Sequence, residues 1–235
     1  MLMDSKNIKF SLIVGAGESI PSAPIFQWLV DHAENILCAD GGYDILNARG
    51  VEPDLLLGDF DSSQRIQKDA AILKKFQDKN ALLQFPGHKD QSDMELALDF
   101  LLEKNTRKAA VIGAVGSRLD HSLCNIALVE CYALKGLQLE LYMRDAILYF
   151  LLPGEYELEP RLQDEDTYFS FLTLRKNAQI SLIGYEYPLK HHVLEPMTSL
   201  GISNHYRKGA RVIVEEGAGV YAMETRDGRL TDPIG

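Results

Sequence analysis

The chain is predicted to be an α/β protein, with an N-terminal doubly wound, mainly parallel sheet flanked by helices and a C-terminal antiparallel β-sandwich. Two observations predict this. Apolar strand-like runs and helix-like segments alternate five times up to Tyr142, the signature of a parallel sheet covered on both faces. Beyond Leu152 the texture changes: Pro153-Gly154 breaks the chain, and short alternating strands follow (YELE, TYFSFLTL, AQISLIGYEYPL, ARVIVEEGAGVYAME). The expected domains are residues 1–150 and 151–235, with the boundary between 150 and 156.

Each element has its own justification. Ile8 to Val14 is an apolar run closed by Gly15-Ala16-Gly17. With Ile20 where a dinucleotide fingerprint has its third glycine, the pair marks a close backbone turn rather than a phosphate cradle. Pro21 to His32 has helical spacing, with Trp28, the only tryptophan, assigned to the core. Ile36 to Ala39 is a second strand ending in Asp40-Gly41-Gly42, glycines that suit either a positive-φ turn or close approach to a bulky ligand. A short helix from Asp44 to Ala48 should stop at Gly50. Pro53 then leads into Leu55-Leu56-Leu57-Gly58, a strand buried on both faces and followed by Asp59-Phe60-Asp61.

Residues 64–80 are expected to form one helix, and Ala81 to Phe85 a fourth strand. Ser92 and Glu95 form a capping box, with Met94, Ala97, Leu98 and Leu101 on the buried face of the next helix. Ala109 to Ile112 is the fifth strand. A helix from Asp120 to Leu134 follows, with Leu123, Ala127, Cys131 and Leu134 inward, and Leu137 to Tyr142 is a sixth strand.

Bulk properties exclude several classes. The 235 residues allow one large domain or two small ones, and a net charge of −10 with no basic run argues against a nucleic-acid-binding face. The three cysteines, Cys38, Cys124 and Cys131, lie in apolar runs and suit buried, reduced thiols. No apolar run reaches the roughly 18 residues needed to span a bilayer, and a signal-peptide pattern is missing. A cytoplasmic protein is expected, with no membrane or nucleic-acid partner.

Chemistry concentrates at strand ends, where an open parallel sheet binds its ligands. Asp40, Asp59 with Asp61, Asp93, and Arg118 with Asp120 stand at four of them. Asp pairs occur in turns, and Asp93 also suits the first turn of a helix through the dipole. Repetition at corresponding positions is more telling, since such loops converge in space. Several carboxylates could hold Mg²⁺ against phosphate oxygens, with Lys89 and Arg118 completing the charge balance. The loop Gly113–His121 combines glycines, a guanidinium and a following helix, a plausible anion site; His121 serves equally as a ligand contact or a cap. Walker A loops, zinc-ligand spacings and a Gly-x-Ser-x-Gly elbow are all missing.

Taken in order, Ala39-Asp40-Gly41-Gly42, Pro53-Asp54 with Gly58-Asp59-Phe60-Asp61-Ser62, Lys89-Asp90-Gln91-Ser92-Asp93 running on to Leu98, and Gly116-Ser117-Arg118-Leu119-Asp120-His121 closely resemble thiamine pyrophosphokinase. Ser170-Phe171 and Leu200-Gly201-Ile202-Ser203-Asn204 extend the resemblance into the second half. It implies transfer of the pyrophosphoryl group of ATP to the hydroxyl of thiamine, giving thiamine diphosphate and AMP with Mg²⁺. It places Asp40, Asp59, Asp61 and Asp93 around the metal and triphosphate. Gly41, Gly42, Lys89, Ser92, Gly116, Arg118, Asp120 and His121 fall near the nucleotide, and Ser203 and Asn204 on the thiamine side. It also implies a homodimer whose thiamine site lies between the α/β domain of one chain and the sandwich of the other. Asp44 stands where the family often has Asn, and Ser92 where Thr is commoner; both keep a polar group. Tyr221 and His205 are candidates for stacking on thiamine.

Three alternatives remain. Asp59 could be the nucleophile of an aspartate phosphatase, although that motif favours Thr where Ser63 stands. A pterin pyrophosphokinase shares part of the first half, and a non-catalytic nucleotide or thiamine sensor would bind without turnover.

Overall fold

The computed structural model describes residues 9–61, 63–69, 71–86, 90–162 and 167–226. Two compact units divide these residues, one running Lys9–Arg144 and the other beginning at Asp145.

The first unit has strands β1 (Ser11–Val14), β2 (Asn35–Ala39), β3 (Leu55–Gly58), β4 (Leu82–Gln84), β5 (Lys108–Ile112) and β6 (Gln138–Tyr142). All pair in parallel, in the order β6-β5-β1-β2-β3-β4. The helices are α1 (Ala23–His32), α2 (Gly42–Asn47), α3 (Gln64–Lys68), α4 (Ala71–Asp78), α5 (Asp93–Glu103) and α6 (Leu119–Leu134). Apolar runs without alternation become central strands because both faces are covered; Leu12, Ile13, Val14, Leu56, Leu57 and Ala110 are all fully enclosed. Because the chain leaves β4 and re-enters on the far side of β1, the order reverses between β1 and β5. At that switch point the loops are laced together. Gly15 N donates to Ile112 O (2.9 Å), Gly17 N to Gly113 O (2.8 Å) and Ser19 N to Val115 O (3.0 Å). A Cβ on Gly17 would sit 2.5 Å from Val115 O, so these glycines serve backbone contact, as the missing third glycine implied.

Four local expectations are corrected. Residues 64–80 form two helices: Asp69 adopts an extended conformation (φ −139°, ψ 90°), and its Oδ1 accepts from Ala71 N at 3.0 Å, capping α4. The buried side of α6 is Ser122, Leu128, Val129, Glu130, Tyr132 and Ala133, while Leu123 and Leu134 are exposed. That helix is apolar nearly all round, so spacing could not choose its face. Tyr132 chooses it, donating to Asp99 Oδ1 (2.6 Å) on α5. Trp28 lies at the surface, stacked on His32 at 4.6 Å. Of the cysteines only Cys38 is buried; Cys131 is half-buried and Cys124 exposed, all three free.

The second unit has β7 (Ala146–Leu151), β8 (Gly154–Glu157), β9 (Thr167–Leu172), β10 (Ala178–Ile183), β11 (Leu189–Leu194), β12 (Asn204–His205), β13 (Arg211–Gly217) and β14 (Val220–Arg226). They pair antiparallel as β12-β9-β14-β7 and β11-β10-β13-β8. Alternate residues of β9 point inward, so Phe169 and Phe171 are fully buried and Tyr185 packs edge-on against Phe171 at 5.3 Å. Glu224 on β14 is also enclosed; its Oε1 accepts from Arg161 N and Leu162 N, each at 2.6 Å. No helix among the described residues is long and apolar enough to cross a membrane.

Candidate active site

Adjacent parallel strands β2, β3 and β4 present their C-terminal ends side by side, and a carboxylate follows each. Asp40 comes directly after β2, Asp59 directly after β3, and Asp93 opens α5 after β4. One carboxylate oxygen from each lies within 4.8 Å of the other two. All three residues are half-buried.

Local backbone makes this convergence possible. Asp40 N donates to Leu57 O at 2.8 Å, carrying the β2–β3 ladder past the end of β2. The positive φ expected of the paired glycines falls instead on Asp40 (φ 45°), since Gly41 is helical at φ −61°. Asp tolerates that region better than most residues. Gly42 is required for packing: a Cβ there would meet Val14 O at 2.1 Å. Gly58 serves the site directly. Its φ is 141°, and an added Cβ would sit 3.2 Å from both Asp40 Cβ and Asp93 Oδ1. Phe60 is buried at φ 65°, an unusual conformation for a bulky residue and of the kind that collects at functional sites.

Ser92 fulfils its capping role, its Oγ accepting from Glu95 N at 3.2 Å. Gln91 donates to Asp99 Oδ2 (2.7 Å), tying the approach to α5 onto the carboxylate that Tyr132 also holds. Asp61 is exposed and stands outside the cluster; its backbone N donates to Asp59 Oδ1 at 3.3 Å. Lys89 lies outside the described residues.

The loop after β5 is arranged differently from a vacant anion cradle. Ser117 donates to Glu18 through its N (2.7 Å, to Oε2) and its Oγ (2.8 Å, to Oε1). These two bonds hold the Glu18 carboxyl below the usual range. A Cβ on Gly116 would meet Glu18 Oε2 at 2.2 Å, so any side chain there would displace the carboxylate from Ser117. Arg118 donates to Asp120 through Nε (3.2 Å) and Nη2 (2.6 Å), pulling the Asp120 carboxyl down to about 2. His121 is exposed in the first turn of α6. Glu18 was not foreseen; its only signal was an acid directly following Gly-Ala-Gly.

In the second unit, Asn204 is buried and spends its amide on one backbone segment: Oδ1 accepts from Tyr187 N (2.9 Å) and Nδ2 donates to Tyr187 O (2.7 Å). Ser203 is at φ 55°, with its N donating to Ser170 Oγ at 3.2 Å. Tyr221 is sealed in the core against Phe150, so it offers no face for stacking, and His205 packs on Tyr168 at 4.6 Å. Tyr187, held by Asn204, is 61% exposed. It was missed because nothing in its local sequence ties it to Asn204.

Fold and site define the class first: an α/β protein whose parallel sheet carries an acidic strand-end site, continued by an antiparallel β unit. The family profile "Thiamin pyrophosphokinase, catalytic domain" matches residues 26–141, and "Thiamin pyrophosphokinase, vitamin B1 binding domain" matches residues 155–221. The chain is 33% identical over 172 residues to thiamine pyrophosphokinase of Bacillus subtilis (strain 168), covering 70% of this chain and 75% of that protein. Among solved structures, thiamine pyrophosphokinase from Bacillus subtilis superposes with a TM-score of 0.78 at 25% identity, over 94% of this chain and 100% of that one. The Geobacillus thermodenitrificans structure gives 0.75 at 26% identity, over 94% and 99%. The chain belongs to the thiamine pyrophosphokinase family, a family of enzymes.

Proposed function

We propose that the protein transfers the pyrophosphoryl group of ATP to the hydroxyl of thiamine, with Mg²⁺, giving thiamine diphosphate and AMP. The observation that carries this is the convergence of Asp40, Asp59 and Asp93 within 4.8 Å, in a chain matched by the family in both halves. Three carboxylates so close repel one another unless a cation lies among them, and hard oxygen donors suit Mg²⁺. Gly58 keeps a side chain from crowding Asp40 and Asp93. Asp40, Asp59 and Asp93 would hold the ion, with Asp61 beside them. When bound, the ion would offset phosphate charge and orient the triphosphate for in-line attack.

The chain's own residues do the rest. Residues 9–144 form the nucleotide- and metal-binding catalytic part, and the following unit binds thiamine. Arg118 is the described cation at the nucleotide loop. Its fork is occupied by Asp120, so phosphate contact requires an exchange of partners. Ser92 and Gly116 shape the nucleotide side by capping α5 and accommodating Glu18. On the thiamine side Asn204 acts by holding Tyr187, whose exposed ring offers an aromatic face, with Ser203 alongside. The phosphatase alternative favours Thr where Ser63 stands and gives Ser63 no part in holding the Asp59 loop. Here the Ser63 hydroxyl is buried, donating to Asp44 and capping α3.

A cytoplasmic homodimer, with its active site at the subunit interface, completes the proposal. The exposed Leu119, Leu123 and Leu134 of α6 are consistent with association. Incubation with ATP, Mg²⁺ and thiamine should release AMP and thiamine diphosphate in equal amounts. Release of inorganic phosphate from monoesters, or no AMP in the presence of thiamine, would overturn the assignment. Sedimentation tests the dimer.

A further inference from the structure

We propose that Asp44 is a positioning residue for the acidic site, locking the loop that carries Asp59 to the segment that carries Asp40. The inference rests on the metal-binding role of those carboxylates and adds a residue outside the ligand set. Asp44 lies in the first turn of α2, four residues after Asp40. Both of its oxygens are committed across the site: Oδ1 accepts from Ser63 Oγ (2.8 Å) and Arg65 N (3.2 Å), and Oδ2 accepts from Gln64 N (2.9 Å). Asp44 is not part of the converging group.

Placement gives these bonds their consequence. On one side, Asp40 and Asp44 belong to a single short turn, closed by Tyr43 N to Asp40 O (3.3 Å) and Asp44 N to Gly41 O (3.1 Å). That turn packs closely on the end of β1, where a Cβ on Gly42 would meet Val14 O at 2.1 Å. On the other side, Ser63 follows Asp59 by four residues and is fully buried, its hydroxyl also accepting from Ile66 N at 3.2 Å. The Asp59 loop is therefore fastened to the Asp40 segment at both ends, by Asp40 N to Leu57 O before it and by Asp44 after it. Removing Asp44 releases the second fastening and lets Asp59 drift from Asp40 without deleting any ligand. A metal-binding constellation tolerates errors of only about 0.5 Å, and loss of supporting hydrogen bonds typically weakens metal affinity by about 10–100-fold.

The test is Mn²⁺ titration of the metal-free full chain, followed by electron paramagnetic resonance, for wild type, Asp44→Ala and Asp44→Asn, with thermal melts to establish folding. Asp44→Ala should bind Mn²⁺ at least about tenfold more weakly. Asp44→Asn keeps Oδ1 for Ser63 and Arg65 but turns an amide nitrogen towards Gln64 N, so it should recover part of that loss. In turnover, Asp44→Ala should raise the metal concentration required and lower kcat while KM for thiamine stays unchanged. Equal Mn²⁺ affinity in wild type and a folded Asp44→Ala overturns the inference. So does equal weakening in Asn and Ala, which would indicate a general charge effect. Should Asp44→Ala fail to fold, Ser63→Ala decides: severalfold weaker binding supports the inference and unchanged binding overturns it. A wild type that takes up no Mn²⁺ defeats the metal role of the site and the inference with it. Wild-type uptake without AMP formation defeats only the assigned reaction.

Discussion

Replacing Asp59 by Asn should stabilise the metal-free protein while abolishing turnover. Asp59 lies within 4.8 Å of both Asp40 and Asp93. At that distance each like-charge pair repels by about 0.9 kcal/mol in a water-like medium and about 3.5 kcal/mol at an effective dielectric of about 20. The two pairs sum to about 1.7 kcal/mol in the water-like limit; the half-exposed setting and salt screening keep them near that limit, so relief comes to about 1–2 kcal/mol. The substitution leaves an acceptor for Asp61 N, so little is lost locally. In a chain of this length the gain raises the melting temperature by about 2–8 °C. Mg²⁺ at tenfold excess over its dissociation constant adds about 1.4 kcal/mol to the wild type. Paired melts, in chelator and in Mg²⁺, check both signs. Asp59→Asn should melt higher in chelator and lose most of the Mg²⁺ shift. An Asn variant that melts below wild type in chelator, or that keeps the full shift, would refute the repulsion argument.

Gly58→Ala should cost about 1–3 kcal/mol for its backbone conformation alone, seen as an earlier denaturant midpoint, and should weaken metal binding because the new methyl crowds Asp40 and Asp93. Glu18→Gln should be less stable than wild type at neutral pH. Since the folded protein holds the Glu18 carboxyl down, its contribution is present above the ordinary carboxylate range and fades as pH falls through the folded value. The two melting curves should therefore converge in acid, and a pH-independent gap would contradict the assignment. Asn204→Ala removes both bonds to Tyr187 and should cost about 1–3 kcal/mol. It should also raise KM for thiamine with Mn²⁺ affinity unchanged, measured by steady-state kinetics and metal titration.

What was legible in the sequence follows from how locally it is specified. Central strands such as Leu55–Gly58 announce themselves because a strand covered on both faces is apolar throughout. The start of α5 was readable because its cap is set by Ser92 and Glu95, three residues apart. By contrast α6 is apolar on several sides, and its orientation depends on Tyr132 reaching Asp99, 33 positions earlier. The break at Asp69 was hidden because the apolar spacing continues across it, while the cap that starts α4 is a single side-chain oxygen. β7 also went unread: its run AILYFL looks like the parallel strands before it, and only its antiparallel pairing with β14 places it in the second unit.

For the site, the residues that hold charge were visible and those that aim it were not. An acid after each of three strands is a pattern along the chain, so Asp40, Asp59 and Asp93 could be singled out before their separation was known. Asp44 and Gly58 carry no such mark, since one resembles a helix-start acid and the other an ordinary strand end. Their roles exist only once β2, β3 and β4 lie side by side: Gly58 by leaving room between Asp40 and Asp93, Asp44 by reaching across to Ser63. Three like charges do not gather spontaneously, so the fold must hold them together against repulsion, which the proposed cation would relieve. Positive φ at Asp40 and Phe60, an uncrowded Gly58 and the Asp44 tie are the local devices through which the first unit does so. Loosening any of them should destabilise the protein and weaken metal binding together. Stability and metal affinity are thus expected to move in opposite directions when a carboxylate is neutralised, and in the same direction when one of its supports is removed.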